Sequence, residues 1–225
     1  MQRVNCEEIL DSVDCPASDA RASLHDLRLI NRWFGGVGTT RRMIERVSEA
    51  SGQRHFTVLE VGAGLGEVPQ KAGLQLGDHG ITLEITDLDR FASHLRQGHR
   101  AIVADAMALP FRENGFDLVS CNLFAHHLEP AELGQFVDEA WRVCRCAVLI
   151  NDLVRHPLHL ALVYAGFPLM RSHVSRADGL ASVRRAYVPE EMRRMLSNGH
   201  SPARMISISR HYLFRMGVII WKQNH

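Results

Sequence analysis

The feature that most constrains the fold of this chain is an apolar run that passes directly into a turn of glycines. The run, residues 56–61, is rich in β-branched and aromatic side chains, and glycines follow at positions 62, 64 and 66. Such a run closed by glycines predicts a buried strand. Glycine suits the turn because backbone amides can then approach a ligand without an intervening Cβ, and because it tolerates conformations that other residues resist. Taken alone, the turn is also compatible with a purely structural role.

Strands and helices are predicted to alternate after this turn. Further strand candidates are residues 81–85, 101–103, 116–120 and 147–150, and the stretches between most of them have helical character, notably 131–143. The pattern predicts a parallel sheet covered on both faces. The last two apolar runs, 205–209 and 216–221, are close enough to pair as an antiparallel hairpin. We therefore expect an α/β fold, a Rossmann-like three-layer α/β/α sandwich with a seven-stranded, mostly parallel sheet whose last strand is antiparallel.

Segments outside the alternation are predicted to add a cap and an insertion. Residues 1–52 are predicted to form an N-terminal helical cap in two parts, interrupted near Gly35, and residues 53–225 the main domain. The first helix has apolar side chains at three- and four-residue spacing, Leu24, Leu27, Ile30 and Phe34, and the second carries Met43, Ile44 and Val47. The insertion, about 153–200, is predicted to contain an apolar helix at 158–169, a polar loop at 175–179 and a helix from near Pro189.

Composition narrows the classes of partner. The 25 acidic and 26 basic residues nearly cancel and no long run of one sign occurs, which does not favour nucleic acid. The five cysteines lack the paired spacing of a zinc site or a disulfide framework, as suits a reducing compartment. No apolar span of about 18 residues is present. The expectation is a cytoplasmic protein, a monomer or homodimer, without membrane insertion.

Acidic residues follow the predicted strands in an order that suggests a ligand site. The glycines have the spacing G-x-G-x-G, not the G-x-G-x-x-G of dinucleotide-binding folds, and Glu60 precedes them by two residues, which suits a positively charged ligand better than a pyrophosphate. Asp87 ends the second strand and Asp105 follows the third. Each acid alone is compatible with a helix N-cap or a solvated turn. Together they predict a site at one edge of the sheet, with Asp87 binding ribose hydroxyls and Asp105 the adenine amino group.

These segments resemble the consecutive motifs of class I, Rossmann-like methyltransferases that depend on S-adenosylmethionine (SAM), of the type 11-like group. The resemblance covers roughly residues 55–152 and rests on four segments: Val58-Leu-Glu-Val-Gly-Ala-Gly-Leu-Gly66, Asp87-Leu-Asp89, Ala104-Asp-Ala-Met-Ala-Leu-Pro-Phe111 and Phe116-Asp-Leu-Val-Ser120. Less specifically, residues 120–128, 150–153 and 182–189 resemble a bacterial subgroup associated with polyketide and phenolic natural products. The resemblance implies transfer of a methyl group from SAM to a small organic molecule, with S-adenosyl-L-homocysteine (SAH) as the second product.

The resemblance also implies which residues bind the cofactor. The glycine turn would face the methionine part of SAM, the acid of the second strand the ribose, and the acid after the third strand the adenine. Asp89 competes with Asp87 for the ribose, and register favours Asp87. The complete set of implied cofactor residues is Glu60, Gly62, Ala63, Gly64, Gly66, Asp87, Leu88, Asp105, Ala106, Met107 and Asn122.

The acceptor side of the site is predicted from chemistry. Methyl transfer from a sulfonium is an in-line displacement that requires positioning, and an oxygen nucleophile with a phenol-like pKa benefits from a base. His127 and His126, after the fourth strand, are the candidates, although one of two adjacent histidines often has a structural role. The candidate substrate residues are Arg32 and Trp33 in the cap, and Tyr164 and Arg184 in the insertion. Asn151 and Asp152 offer too few oxygen ligands for a hard cation, so no metal is expected.

Alternative functions remain open. O-methylation of a phenolic or polyketide-like molecule is the leading hypothesis, and C-methylation of a quinone-type acceptor is the near alternative. A non-catalytic SAM-binding assembly protein would keep the cofactor pocket and lack an acceptor cavity. A nicotinamide oxidoreductase is disfavoured because the glycine spacing and the antiparallel end of the sheet do not match that class.

Overall fold

The computed structural model describes residues 1–6, 8–11, 15–16, 18–19, 22–23, 25–26, 35–96, 98–197 and 205–222. The strands are β1 (His55–Val61), β2 (Thr82–Asp89), β3 (Ala101–Val103), β4 (Phe116–Asn122), β5 (Cys144–Leu153), β6 (Met205–His211) and β7 (Arg215–Trp221). The helices are α1 (Gly36–Ser51), α2 (Glu67–Gly77), α3 (Pro130–Val143), α4 (Pro157–Gly166), α5 (His173–Arg185) and α6 (Pro189–Ser197). Three-residue 3-10 helices cover Ile9–Asp11, Ala125–His127 and Phe167–Leu169.

The described strands form one seven-stranded sheet in the order β3-β2-β1-β4-β5-β7-β6. Strands β1 to β5 pair in parallel, whereas β7 is antiparallel to both β5 and β6. The predicted mostly parallel sheet with an antiparallel last strand is therefore confirmed, as is the terminal hairpin. The strand order reverses between β1 and β4, and a crevice outside the carboxyl ends of the strands at such a point is where α/β folds bind ligands.

Both faces of the sheet are covered, because successive side chains of a strand point to opposite faces. On β1, Val58 packs in the cluster that holds Met43 and Ile44 of α1, and its neighbour Leu59 packs in the cluster that holds Phe136 of α3. Each apolar run thus packs against one helical layer on each face of the sheet. Helix α1, which the sequence placed in the N-terminal cap, packs in the core of the α/β fold.

The insertion differs from the prediction at one place. Residues 175–179 were expected to form a polar loop, but they lie inside α5, which begins after the N-cap Ser172, whose hydroxyl accepts a hydrogen bond from the Val174 amide. The polar side chains that suggested a loop have partners elsewhere in the fold: both carboxylate oxygens of Asp178 accept amide hydrogen bonds, from Ile9 and Leu10. Tertiary contacts therefore override the local loop signal.

The N-terminal segment covers the carboxyl edge of the sheet. Residues 1–6 have no regular secondary structure, which corrects the expectation that the whole of 1–52 is helical, and residues 18–19, 22–23 and 25–26 are helical. Arg3 pairs with Glu129 at 2.9 Å, and the Val4 amide donates to the Arg184 carbonyl. Leu24, Leu27, Ile30 and Phe34, the apolar residues of the predicted first helix, lie outside the described residues. Within the described ranges, no helix combines the length and the apolar character needed to cross a membrane.

Candidate active site

A cavity of about 1590 Å³ opens at the carboxyl ends of the parallel strands. It is larger than the roughly 300–1,000 Å³ of an ordinary ligand pocket, so it has room for two ligands side by side. One end is lined by the glycine turn after β1 and by the residues after β2 and β3, and the other by the 3-10 helix after β4, the N-terminal segment and the insertion.

The glycine turn lies against the end of β2. Gly62, Gly64 and Gly66 have φ angles of 63°, 52° and 64°, in the left-handed region that favours glycine. The Ala63 amide donates to the Leu88 carbonyl at 3.0 Å, and the Gly66 amide to the Ala63 carbonyl at 2.8 Å. At its three glycines the turn therefore presents backbone, not side chains, to the cavity.

Substitution of Gly66 by alanine is expected to destabilise the fold by about 2–4 kcal/mol, from the left-handed φ and from overpacking. A Cβ at this position would lie 2.8 Å from Cγ of the buried Asp87, inside van der Waals contact. Urea unfolding measures the effect. The matched control is Gly134→Ala in α3, where a Cβ meets nothing within 4 Å and helix propensity predicts a gain of about 1 kcal/mol. Equal stabilities of the two variants would contradict this description of the turn.

Of the two aspartates at the end of β2, Asp89 and not Asp87 reaches the cavity. Asp89 lines it, accepts the Gly64 amide at 3.0 Å through one carboxylate oxygen and accepts the Phe91 amide at 3.0 Å through the other. Burial opposes ionisation, but the hydrogen bonds from His94 and from these amides hold the pKa of Asp89 below its ordinary value. Asp87 is 1% exposed, lies beneath Gly66 and does not line the cavity. The expected placement of Asp87 is therefore corrected, because β2 continues two residues beyond it.

Glu60 lies at the centre of a buried polar network. It accepts hydrogen bonds from the Ser120 hydroxyl and, at 2.7 Å, from the Asn122 amide. Burial, with a smaller contribution from the nearby Asp87, outweighs the two hydrogen bonds and raises the pKa of Glu60 to about 7. Asn122 in turn accepts from Thr40 at 2.7 Å and from Asn151 at 2.7 Å. Glu60 and Asn122 both line the cavity, so a carboxyl group that ionises near neutral pH faces it.

The raised pKa of Glu60 predicts how stability varies with pH. Between its ordinary value of 4.5 and about 7, the folded protein keeps a proton that the unfolded chain has lost, so the free energy of unfolding falls as pH rises. At about 1.4 kcal/mol per unit the loss approaches roughly 3 kcal/mol. Urea unfolding between pH 5 and 6.5, below the range in which His126 contributes, should show this decline in the wild type and not in Glu60→Gln, with the exposed Glu49→Gln behaving like the wild type. Parallel profiles for all three proteins would show that Glu60 is ionised throughout.

The residues after β3 also line the cavity. Asp105 is exposed, and one of its carboxylate oxygens accepts the Met107 amide at 2.9 Å. Ala106 and Met107 form an apolar wall beside it. The structure thus brings Glu60, the glycine turn, Leu88, Asp105, Ala106, Met107 and Asn122 to one cavity, as the sequence predicted, and adds Asp89.

At the other end, His126 lies between two carboxylates. Its Nδ1 is 2.6 Å from Asp152 Oδ1, its backbone amide donates to Asp152 Oδ2 at 2.8 Å, and its Nε2 is 3.3 Å from Glu8 Oε1. Burial alone would lower the pKa of His126, but the carboxylates of Asp152 and Glu8 raise it to about 10. Burial likewise would raise the pKa of Asp152, and His126 lowers it instead. The three groups form one strongly coupled unit.

His127 is the more accessible of the two histidines. Its side chain is 20% exposed against 2% for His126, and its Nε2 is 3.8 Å from Glu8 Oε2. Both histidines line the cavity, with ring centroids 4.2 Å apart. The two histidines that the sequence proposed as catalytic candidates therefore both line this end of the cavity, together with Glu8.

Two candidate substrate residues of the insertion lie away from the cavity. Tyr164 is 48% exposed and does not line it, whereas Leu162, two positions earlier on α4, does. Two positions on a helix differ by about 200°, so the two side chains point in opposite directions. Arg185 lines the cavity and Arg184 does not. Both lie in helix α5, where successive side chains point in different directions. Arg185 donates to the carbonyls of Cys6 and His127. Arg32 and Trp33 lie outside the described residues.

The charged residues of the cavity that the sequence did not identify include Glu8 and Arg215. Glu8 comes from the N-terminal segment, and Arg215, 1% exposed, from the start of β7. Burial lowers the pKa of Arg215 to about 10 against the opposing effect of Asp152. Glu8 is distant in sequence from every motif, so no local signal points to it. Arg215 begins an otherwise apolar strand, and a charge at that position was a usable signal.

Several solved methyltransferase structures have a similar fold. The plantazolicin methyltransferase BpumL, in complex with a pentazolic desmethylPZN analog and SAH, has a TM-score of 0.68 and 12% identity over 91% of each chain. A SAM-dependent methyltransferase from Aquifex aeolicus has a TM-score of 0.53 and 15% identity over 79% of this chain and 88% of that one. The CMeT domain of the citrinin polyketide synthase has a TM-score of 0.51 and 12% identity over 75% of this chain and 47% of that one. At these identities the likeness shows the fold alone.

The sheet order, the glycine turn and the acids at one edge define the class I methyltransferase fold. The family model described as a methyltransferase domain matches residues 59–147, from the middle of β1 into β5. No curated protein matches the sequence. Over these residues the match agrees with the resemblance to class I, type 11-like methyltransferases that depend on SAM.

Proposed function

We propose that this protein transfers a methyl group from SAM to an oxygen of a phenolic or polyketide-like small molecule. The observation that carries the proposal is the continuity of the cavity: it runs from the glycine turn to Glu8, His126 and His127, with apolar residues of the insertion alongside. A methyl group held at the turn would face groups able to stabilise an anionic oxygen.

The cofactor end is assigned from the placement of its residues. Asp89 would bind the ribose hydroxyls, because its carboxylate is at the cavity wall beside the Gly64 amide. Asp105 and Met107 would bind the adenine, and Glu60 and Asn122, with the turn, the methionine part. When bound, SAM supplies an electrophilic methyl group on a cationic sulfur. A buried carboxyl that ionises near neutral pH matches a cationic ligand, because a nearby positive charge favours its ionised form.

The acceptor end combines apolar surface with a few convergent polar groups. Leu162, Val163, Leu169 and Met170 of the insertion line it, as does Leu213 of the β6–β7 turn. Such a lining fits a largely apolar ring system, while a small number of polar side chains fixes its orientation. We assign to His127 the role of the base that takes the proton of the acceptor hydroxyl, with the Glu8 carboxylate and His126 beside it, since an ionised phenol is the better nucleophile.

The test is turnover with a panel of phenols and polyketide-like aromatic compounds, measured by SAH formation and by product mass. We expect a mass gain of one methylene unit (about 14 Da), and chemical demethylation should return the starting compound if the methyl group is on oxygen. A product that resists demethylation would replace the proposal by C-methylation. SAM binding without turnover of any acceptor in the panel would favour the assembly protein.

A further inference from the structure

We propose that Glu8, His126 and His127 bind a divalent transition-metal ion, Zn²⁺ being the best match, next to the acceptor end of the cavity. The sequence argument against a metal concerned oxygen ligands after β4 and β5 only. The fold brings Glu8 of the N-terminal segment next to the two histidines, so the candidate metal ligands are two imidazoles and one carboxylate. Zn²⁺ takes such a set and leaves an open position in catalytic sites, whereas Mg²⁺ prefers oxygen ligands.

The distances between the ligand atoms suit one ion. His126 Nε2 is 3.3 Å from Glu8 Oε1, His127 Nε2 is 3.8 Å from Glu8 Oε2, and one ligand atom from each residue lies within 4.8 Å of the others. Zinc bonds to nitrogen and oxygen are about 2.0–2.2 Å long, so two ligands of one ion are about 3–4 Å apart. Small side-chain rotations would bring the three atoms onto a single centre.

The direction of His126 Nε2 is a second, independent observation. This atom is buried and makes no hydrogen bond, although Glu8 Oε1 is 3.3 Å away. A hydrogen bond would place the oxygen along the N–H direction at about 2.7–3.2 Å. An ion bound to the imidazole would occupy that direction, and the carboxylate would then bind the ion from the side. The off-axis position of Glu8 is thus the one expected of a fellow ligand.

The contacts around the three residues hold them in place. Asp152 Oδ1 lies 2.6 Å from His126 Nδ1, which orients the ring so that Nε2 is directed toward Glu8. A carboxylate on the far nitrogen is the usual partner of a metal-bound histidine. Glu8 accepts from the Ser182 hydroxyl at 2.8 Å, and the next two amides, of Ile9 and Leu10, donate to Asp178 at 2.8 and 3.0 Å. These contacts therefore hold the three side chains near one another before an ion arrives.

The position of the ion suggests its use, which rests on the proposed function. An ion bound by Glu8, His126 and His127 would have its open coordination position on the cavity. Coordination lowers the pKa of a bound hydroxyl, so the acceptor would lose its proton to water and keep an anionic oxygen on the ion, facing the methyl group.

The test is calorimetric titration of Zn²⁺ into the full-length protein after removal of metal with a chelator. We expect one equivalent to bind, with affinity at least 10-fold weaker in Glu8→Gln and in His127→Ala. Asp152→Asn should weaken it about 10–100-fold, and the control His79→Ala, exposed at the opposite edge of the sheet, should not change it. Co²⁺ should give visible ligand-field bands that His127→Ala abolishes. Equal Zn²⁺ affinity in all variants would refute the proposed site. So would the absence of Zn²⁺ binding in wild-type protein that still unfolds cooperatively.

Turnover and SAM binding, measured on the same protein after removal of metal, distinguish the proposed metal site from the proposed function. Stoichiometric Zn²⁺ binding without methyl transfer to any acceptor would refute the proposed function and leave the metal site standing. Methyl transfer unaffected by chelation, together with no stoichiometric Zn²⁺ binding, would refute the metal site and leave the proposed function standing.

Discussion

Replacing Asp89 with alanine is expected to weaken SAM binding by about 100-fold. A hydrogen bond to a charged group contributes about 1.5–3 kcal/mol, and tenfold in affinity corresponds to about 1.4 kcal/mol. The ribose would lose two such bonds, and the Gly64 amide would lose the carboxylate that it now contacts at 3.0 Å. Calorimetric titration with SAM or SAH measures the change, and thermal unfolding verifies that the variant is folded.

The matched control for this prediction is the neighbouring aspartate on the same side of β2. Asp87→Asn removes a carboxylate that is 1% exposed and lies outside the cavity, so the affinity should change less than about threefold. The reverse ranking, with Asp87→Asn the weaker binder in folded protein, would restore the ribose role to Asp87 and contradict the placement proposed for the cofactor.

Replacing His127 with alanine is expected to lower kcat about 100-fold and to leave SAM affinity within threefold. Assistance to the ionisation of an acceptor hydroxyl is worth about 10²–10⁴-fold, and His127 lines the acceptor end of the cavity beside Glu8. A steady-state assay with the best acceptor of the panel measures kcat, and calorimetry measures SAM affinity.

Two outcomes of the His127 experiment are informative. The exposed His79→Ala, at the far edge of the sheet, should keep full turnover. If His127→Ala also keeps full turnover, the acceptor does not bind at the Glu8, His126 and His127 cluster. If SAM affinity falls as far as kcat does, His127 belongs to the cofactor site.

The sequence predicts the fold well because its signals are local. Short apolar runs closed by turn residues, such as 56–61, specify buried strands, and the spacing of Gly62, Gly64 and Gly66 specifies the turn. Parallel pairing then carries the residues after β1, β3 and β4 to the same edge. Glu60 and Asp105 were predicted to face one cavity on this basis and Asn122 was implied by the family resemblance, and all three line the cavity in the structure.

The errors concern information that is not local. The choice between Asp87 and Asp89 depends on where β2 ends, and strand ends are poorly marked by composition. Asp178 suggests a loop by its chemistry, and only its contacts with the Ile9 and Leu10 amides show why α5 continues through it. Glu8 meets His126, 118 positions further along the chain, and no periodicity in the chain specifies this contact.

A crystal structure with SAH bound tests most directly whether the cavity is the methyl-transfer site. We expect the ribose hydroxyls on Asp89, the adenine beside Asp105 and Met107, and the sulfur directed toward His127 across the remaining space. An adenosyl group that avoids the glycine turn, or a sulfur enclosed by protein on the side of His127, would contradict the proposed site.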